Sequence, residues 1–435
     1  MKKIVFNILF SGFLLKSFSQ ETVYPAPKQA QPILITNGTV HVGNGQVLEN
    51  ASVLIVDGKI AGVGTNVTAP AGAKTINAAG KQVYPGMILS NSNLGLVEVP
   101  SVRASNDVRE IGTINASIRS IIAYNTDSKV TNTLRPNGIL LANIVPQGGL
   151  ISGTSSVVQL DAWNWEDAAY KMDNGVHFYM PTLIAAPRGF RAFAALQGQA
   201  PADPVKQGLE QIEGVKQFLK EAKAYNGNTS YEETNLKFAA VKGLFDKSQK
   251  LFVHANTVKQ MLIALDFVKE LGLDMVIVGG SDSWQIADLL KQNNVPVILN
   301  QLHNLPTLDD DDVDQPYKTP AMLQKAGVLF SINDDDKDTR SRNLAFNAGT
   351  AVTYGLTKEQ ALAAITLNAA KILGIADRTG SIEVGKDANI VISNGDILDM
   401  RSNIITDAFI QGRQISLDNK QHQLYEKYKY KYGLK

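Results

Sequence analysis

The chain has 435 residues, 44% hydrophobic and 19% charged, a globular composition that suits one large domain with a satellite. A formal net charge of +1 excludes the strongly basic surface of a nucleic-acid binder. The absence of cysteine excludes thiolate nucleophiles and thiolate zinc sites.

The first stretch, MKKIVFNILFSGFLLKSFSQ, sets Lys2 and Lys3 before an apolar run from Ile4 to Leu15, with small residues Ser17 and Ser19 after it. That order predicts a signal peptide over residues 1–19, cleaved before Gln20 or Glu21, and an exported protein, periplasmic or secreted. The apolar run is too short for an integral membrane span. Residues 20–32 read as a linker. From 33 to 84, apolar and polar residues alternate between turn signals at Asn37-Gly38, Gly43-Asn44-Gly45 and Asp57-Gly58, which tolerate positive φ and predict hairpins.

At Pro85 the texture changes. Short apolar runs (GILLANIVP, KLFVHAN, MVIVGG, VPVILN, VLFSIND) alternate with helical patterns such as VKQMLIALDFVKELG. Strand–helix alternation with short loops predicts a parallel sheet, and the number of units over residues 85–379 favours a barrel. Residues 380–415 return to hairpin texture, with turns at Gly385-Lys386 and Asn394-Gly395, and pair with 33–84 in a composite β domain. The predicted fold is α/β: a (β/α)8 TIM-like barrel with a small β-sandwich domain built from both chain ends. The tail, 416–435, is polar and basic.

Three segments carry a family resemblance. They are the entry ITNGTVHVGNG…VLIVDGKIAGVG with PGMI, the unit FVHANTVKQMLIALDFVKELGLDMVIVGG, and the closing LTKEQALAAITLNAAKILGIADRTGSIEVGKDANIVI. From about Ile33 to Ile415 the chain resembles the amidohydrolase superfamily, in particular its imidazolonepropionase-like members. The resemblance implies one or two divalent metals at the carboxyl ends of the barrel strands. Their ligands would be an HxH pair on strand one, a lysine or glutamate on strand four, histidines on strands five and six, and an aspartate on strand eight. It also implies that metal-bound water attacks a carbon–nitrogen centre while the aspartate moves the proton.

Carried over residue by residue, the resemblance meets departures. PGMILSNSN puts Asn91 and Asn93 where the HxH pair belongs, and an amide binds a transition metal far more weakly than imidazole. Strand five keeps His254. Strand six offers Gly279 and Gly280. The strand-four register is blurred in LKFAAVKGLFDKSQK, which supplies no lysine ligand. Strand eight supplies Asp334, Asp335 or Asp336, with Asp334 preferred as the first acid after the apolar run. His303 either replaces a missing ligand or caps a loop. His41, His177 (in a loop-like VHFYM) and His422 receive no role, and the acid run LDDDDVD reads as a solvated loop. VPQGGLISGTSS (145–156) either lines the pocket or is an ordinary βα loop, and ASNDVREIG (104–112) reads as part of a lid.

The expected site therefore has His254 and Asp334 as catalytic and metal-holding residues, with Asn91, Asn93, Gly279, His303 and Asp335 around them. The expected cofactor is one divalent metal (zinc, manganese or iron) or none. Two readings stand. One is an exported hydrolase of cyclic amide or imidazolone-type bonds with an altered metal site. The other is a catalytically inactive barrel, a pseudoenzyme that binds a small ligand or supports an active paralogue. The expected partners are a small molecule and a second subunit, in a homodimer or with that paralogue.

Overall fold

The computed structural model describes residues 23–184, 203–228, 233–307, 310–335 and 338–434. The expected signal peptide, Asp309 and Asp336 lie outside the described residues.

Two sheets account for the strands. The first is built from β1 (Ile33–His41), β2 (Val47–Val56), β3 (Lys59–Gly64), β4 (Lys74–Asn77) and β5 (Gln82–Pro85), joined by three strands from the far end of the chain. The second runs in chain order: β6 (Met87–Ser92), β7 (Ile139–Ile144), β8 (Ile151–Gln159), β9 (Ala169–Tyr179), β10 (Lys250–Ala255), β11 (Met275–Gly279), β12 (Val297–Leu299) and β13 (Phe330–Ile332). Strands β14 (Ile390–Ser393), β15 (Ile405–Ile410) and β16 (Arg413–Gln414) then return to the first sheet, where β14 pairs antiparallel with β5. Hydrogen bonds link all eight strands of the first sheet, over a core of its own that includes Ile35, Val53, Ile390 and Phe409.

Local chemistry sets these elements. Asp57 and Gly58 both take positive φ, 49° and 78°, the geometry of a two-residue hairpin between β2 and β3. Asn37-Gly38 does not turn the chain. It forms a bulge inside β1, with Asn37 at φ 61°, so the expected hairpin there is corrected to an irregularity in one continuous strand. The helix Val258–Leu271 starts at a capping box of Thr257 and Gln260 and stops at Gly272 with φ 68°. It lays Met261, Ala264, Leu265, Val268 and Leu271 against the barrel at helical spacing.

Barrel neighbours are parallel with one exception: β8 is antiparallel to both β7 and β9. Only residues 145–150 separate β7 from β8, and a parallel crossover needs roughly a dozen residues or more. The second half of the expected loop VPQGGLISGTSS, from Ile151, is therefore strand. The helices at Leu236–Ala240 and Lys242–Phe245 occupy the segment in which strand four was sought; the fourth strand of the sheet is β9.

The seam between β13 and β6 closes through side chains. Asn333 donates from Nδ2 to the Asn91 carbonyl (2.8 Å) and accepts at Oδ1 from the Asn91 N–H (3.1 Å), so one carboxamide takes the place of a ladder rung. Ser90 and Ser331 meet below it at 3.1 Å. Residues 23–32 are irregular but pinned. The Asp161 carboxylate, fully buried, accepts from the Ala26 N–H (2.8 Å), Arg135 (2.6 Å) and Arg413 (3.0 Å).

Replacing Asn333 with alanine leaves the N–H and C=O of Asn91 unpaired, each costing roughly 1–3 kcal/mol. Asn333→Ala should lower the urea midpoint accordingly. Asn93→Ala, whose side chain has no partner among the described residues, should stay within about 0.5 kcal/mol of the parent. Equal effects would refute the seam.

Candidate functional site

Strand alternation decides which side chains enter the barrel. On β9, His177 stacks on Phe252 of β10 (4.9 Å between centroids) and Tyr179 stacks on His254 (3.8 Å, 12° between planes), so 177, 179, 252 and 254 face inward. Gly175 makes this possible, because a Cβ there would collide with the Phe252 ring. The Nδ1 atom of His177 lies 2.9 Å from Nε2 of His254, a hydrogen bond in which one ring donates and the other accepts. His177 is fully buried inside the barrel, not in a loop. The Asn-Gly before it reads as a turn and hides the strand.

The same alternation sorts the acids of β13. Ser331 and Asn333 face the barrel interior, and Asp335, two residues on, lines the cavity at its mouth. Asp334 has the opposite parity. It is 2% exposed, and its Oδ2 accepts from Asn347 on the helix Leu344–Thr353 (3.1 Å). The preferred aspartate thus faces the helix layer, and its neighbour faces the pocket.

The cavity holds about 370 Å³. Asn91, Ser92, Asn93, Gln147, Tyr179, His254, Asn256, Asn300 and Asp335 all contribute to its wall. Among the described residues, the side-chain amides of Asn93, Gln147 and Asn300 make no hydrogen bond, and Oδ1 of Asn91 is buried without a partner. Gly279 opens onto an adjoining cavity of about 330 Å³, and a Cβ there would collide with the Asn256 amide oxygen. His303 lies outside both cavities. Its Nε2 pairs with Thr350 (2.7 Å) and its ring sits edge-on to Tyr317, so it caps a loop. The segment expected as a lid places Val108 and Arg109 beside Asn93 and Gln147 in a neighbouring cleft.

Burial pushes the His254 imidazole down to about 3, and burial together with the neighbouring His254 pushes His177 well below its ordinary value. The pair is therefore neutral at neutral pH. Burial also raises the Tyr179 hydroxyl, which donates to the Pro146 carbonyl at 3.2 Å.

This donor set does not fit the metal that the resemblance implies. The residues lining the cavity include one imidazole and one carboxylate; the other polar side chains are amides and hydroxyls. Among the described residues, no three histidine or acidic side chains gather into a metal-holding group. Imidazoles and carboxylates in threes and fours hold catalytic zinc, and neutral amides do not replace them.

Comparison with known proteins identifies the frame on which this cavity sits. The model of the amidohydrolase family matches residues 192–415. The chain belongs to the amidohydrolase family. It is similar to the imidazolonepropionase of Mesorhizobium japonicum, 24% identical over 389 residues that cover 84% of this chain and 90% of that one. The imidazolonepropionase of Deinococcus radiodurans is 24% identical over 398 residues, covering 86% and 94%. Among solved structures, an amidohydrolase from Thermotoga maritima superposes with a TM-score of 0.76 at 25% identity, covering 88% of this chain and 99% of that one. A zinc-bound adenosine deaminase from Xanthomonas campestris shares the fold at a TM-score of 0.56 and 16% identity, covering 93% and 99%. The chain is thus an imidazolonepropionase-like member of a hydrolase family.

His41 behaves oppositely to the barrel pair. Burial works against its charge, but hydrogen bonds to Glu359 (2.7 Å) and Gln82 (2.9 Å) outweigh it and raise its pKa. Its contribution to stability is complete below about 6.5 and is lost as pH rises through the raised value. The barrel pair contributes fully above about 6.5, and that contribution is lost as pH falls from there toward 3. Imidazole NMR signals should therefore show His177 and His254 still neutral at pH 5, with His41 titrating above 6.5. A midpoint for His254 near 6.5 would contradict this geometry.

Proposed function

We propose that this chain is an amidohydrolase-family barrel that binds a small neutral molecule at its mouth without the family's metal-activated water. The observation that carries the reading is the cavity wall. Carboxamides at Asn91, Asn93, Gln147 and Asn300 surround a neutral histidine pair and retain hydrogen-bonding capacity that the protein does not use. Each carboxamide presents a donor beside an acceptor, which matches the N–H and C=O edge of a cyclic amide or imidazolone ring. Relatives named imidazolonepropionase support that ligand class. The leader-like residues 1–19 support export, in which case the mature protein isolated from cells begins at Gln20 or Glu21.

A competing reading, a hydrolase with one ion held by His254 and Asp335, draws on the shared position of those two side chains on the cavity. Calorimetry with five-membered cyclic amides such as hydantoin, in excess chelator, separates the two. Binding should persist in chelator and weaken roughly five- to thirtyfold in Asn91→Ala and Asn300→Ala, the cost of about 1–2 kcal/mol for a lost hydrogen bond. Binding or turnover that appears only when metal is added, and is lost in His254→Ala, would contradict the proposal.

A further inference from the structure

The last helix, Lys420–Lys431, is a feature that the fold itself does not explain. It is capped by Asn419, whose side chain accepts from the His422 N–H, and none of its residues is buried. A helix normally survives by packing an apolar stripe on a core, and this one leaves its stripe uncovered. Tyr425, Tyr428 and Tyr432 recur at i, i+3 and i+7 with Leu424 beside them, so they share one face that runs just past the helix end. The three tyrosines are 60%, 49% and 65% exposed. Lysines flank the stripe on both sides: Lys429 next to Tyr425 (5.9 Å), and Lys431 next to Tyr428 and Tyr432 (5.8 and 5.1 Å), with Lys427 on the same side as Lys431.

We infer that this helix is a peripheral docking element for an anionic phospholipid surface, independent of the barrel cavity. Charge complementarity selects that partner. The helix carries four lysines against the single acid Glu426, while the whole chain has a formal charge of only +1, so the basic charge is concentrated here. The tyrosines argue for a bilayer surface over a simple polyanion. An aromatic ring with a polar tip settles at the headgroup level, and lysine stems extend from beside it to the phosphates. No helix among the described residues is long and apolar enough to cross a membrane, so the contact lies on the surface.

The test is vesicle co-sedimentation of the mature chain beginning at Gln20, which removes any contribution from the apolar leader. Vesicles containing phosphatidylglycerol should retain the protein, phosphatidylcholine vesicles should not, and added salt should release it. Lys427→Gln with Lys431→Gln should weaken retention at least about tenfold. The triple variant Tyr425→Ser, Tyr428→Ser, Tyr432→Ser should also weaken it, although its charge is unchanged. Thermal melting should be the same for all variants, since no helix residue is buried. Failure to bind either vesicle would overturn the inference. So would retention that survives loss of the tyrosines and is matched by binding to heparin, which would mark a general polyanion contact.

Discussion

A single carboxamide holds the mouth of this barrel in register. Asn333 gives both of its polar atoms to the backbone of Asn91, and by doing so it fixes the end of β6 against the end of β13. Everything at the cavity inherits that placement. Asn91 and Asn93 sit on one side of the seam and Asp335 on the other, and the hydrogen bond between Ser90 and Ser331 underlies both. A half-buried backbone pair satisfied by one side chain is a stringent arrangement, because losing the side chain strands two polar groups at once.

Above that seam the chemistry is neutral apart from the single carboxylate of Asp335. Where the family resemblance implies imidazoles and carboxylates around an ion, this chain presents amides, hydroxyls and two histidines that hydrogen-bond to each other. Burial keeps both histidines uncharged, and stacking on Phe252 and Tyr179 fixes their rings. Their mutual hydrogen bond satisfies one ring nitrogen of each, while Nε2 of His177 is buried without a partner among the described residues. The unpaired amides at the rim are the groups a ligand would engage.

Much of the architecture was legible in the sequence, because parallel strands buried on both faces are written as apolar runs. GILLANI and MVIVG announce themselves, and Thr257, Gln260 and Gly272 mark the ends of a helix. The departures at Asn91 and Asn93 were equally plain. What escaped was governed by parity and neutrality. The antiparallel β8 interrupted the strand–helix rhythm, so β9 and its His177 read as loop. The end of an apolar run does not say which of Asp334 and Asp335 faces inward; only the positions of Ser331 and Asn333 settle that. Asn333 and Asn347 organise the barrel mouth through hydrogen bonds that no charge or spacing pattern announces.

The claim that this cavity, with Asp335 as its one carboxylate, is built for hydrogen bonding and not for a metal is most directly tested by crystals grown with zinc and measured at the zinc absorption edge. The account predicts no anomalous peak in the cavity and His254 still bonded to His177. A strong peak between His254 and Asp335, with the His177 bond broken, would contradict it.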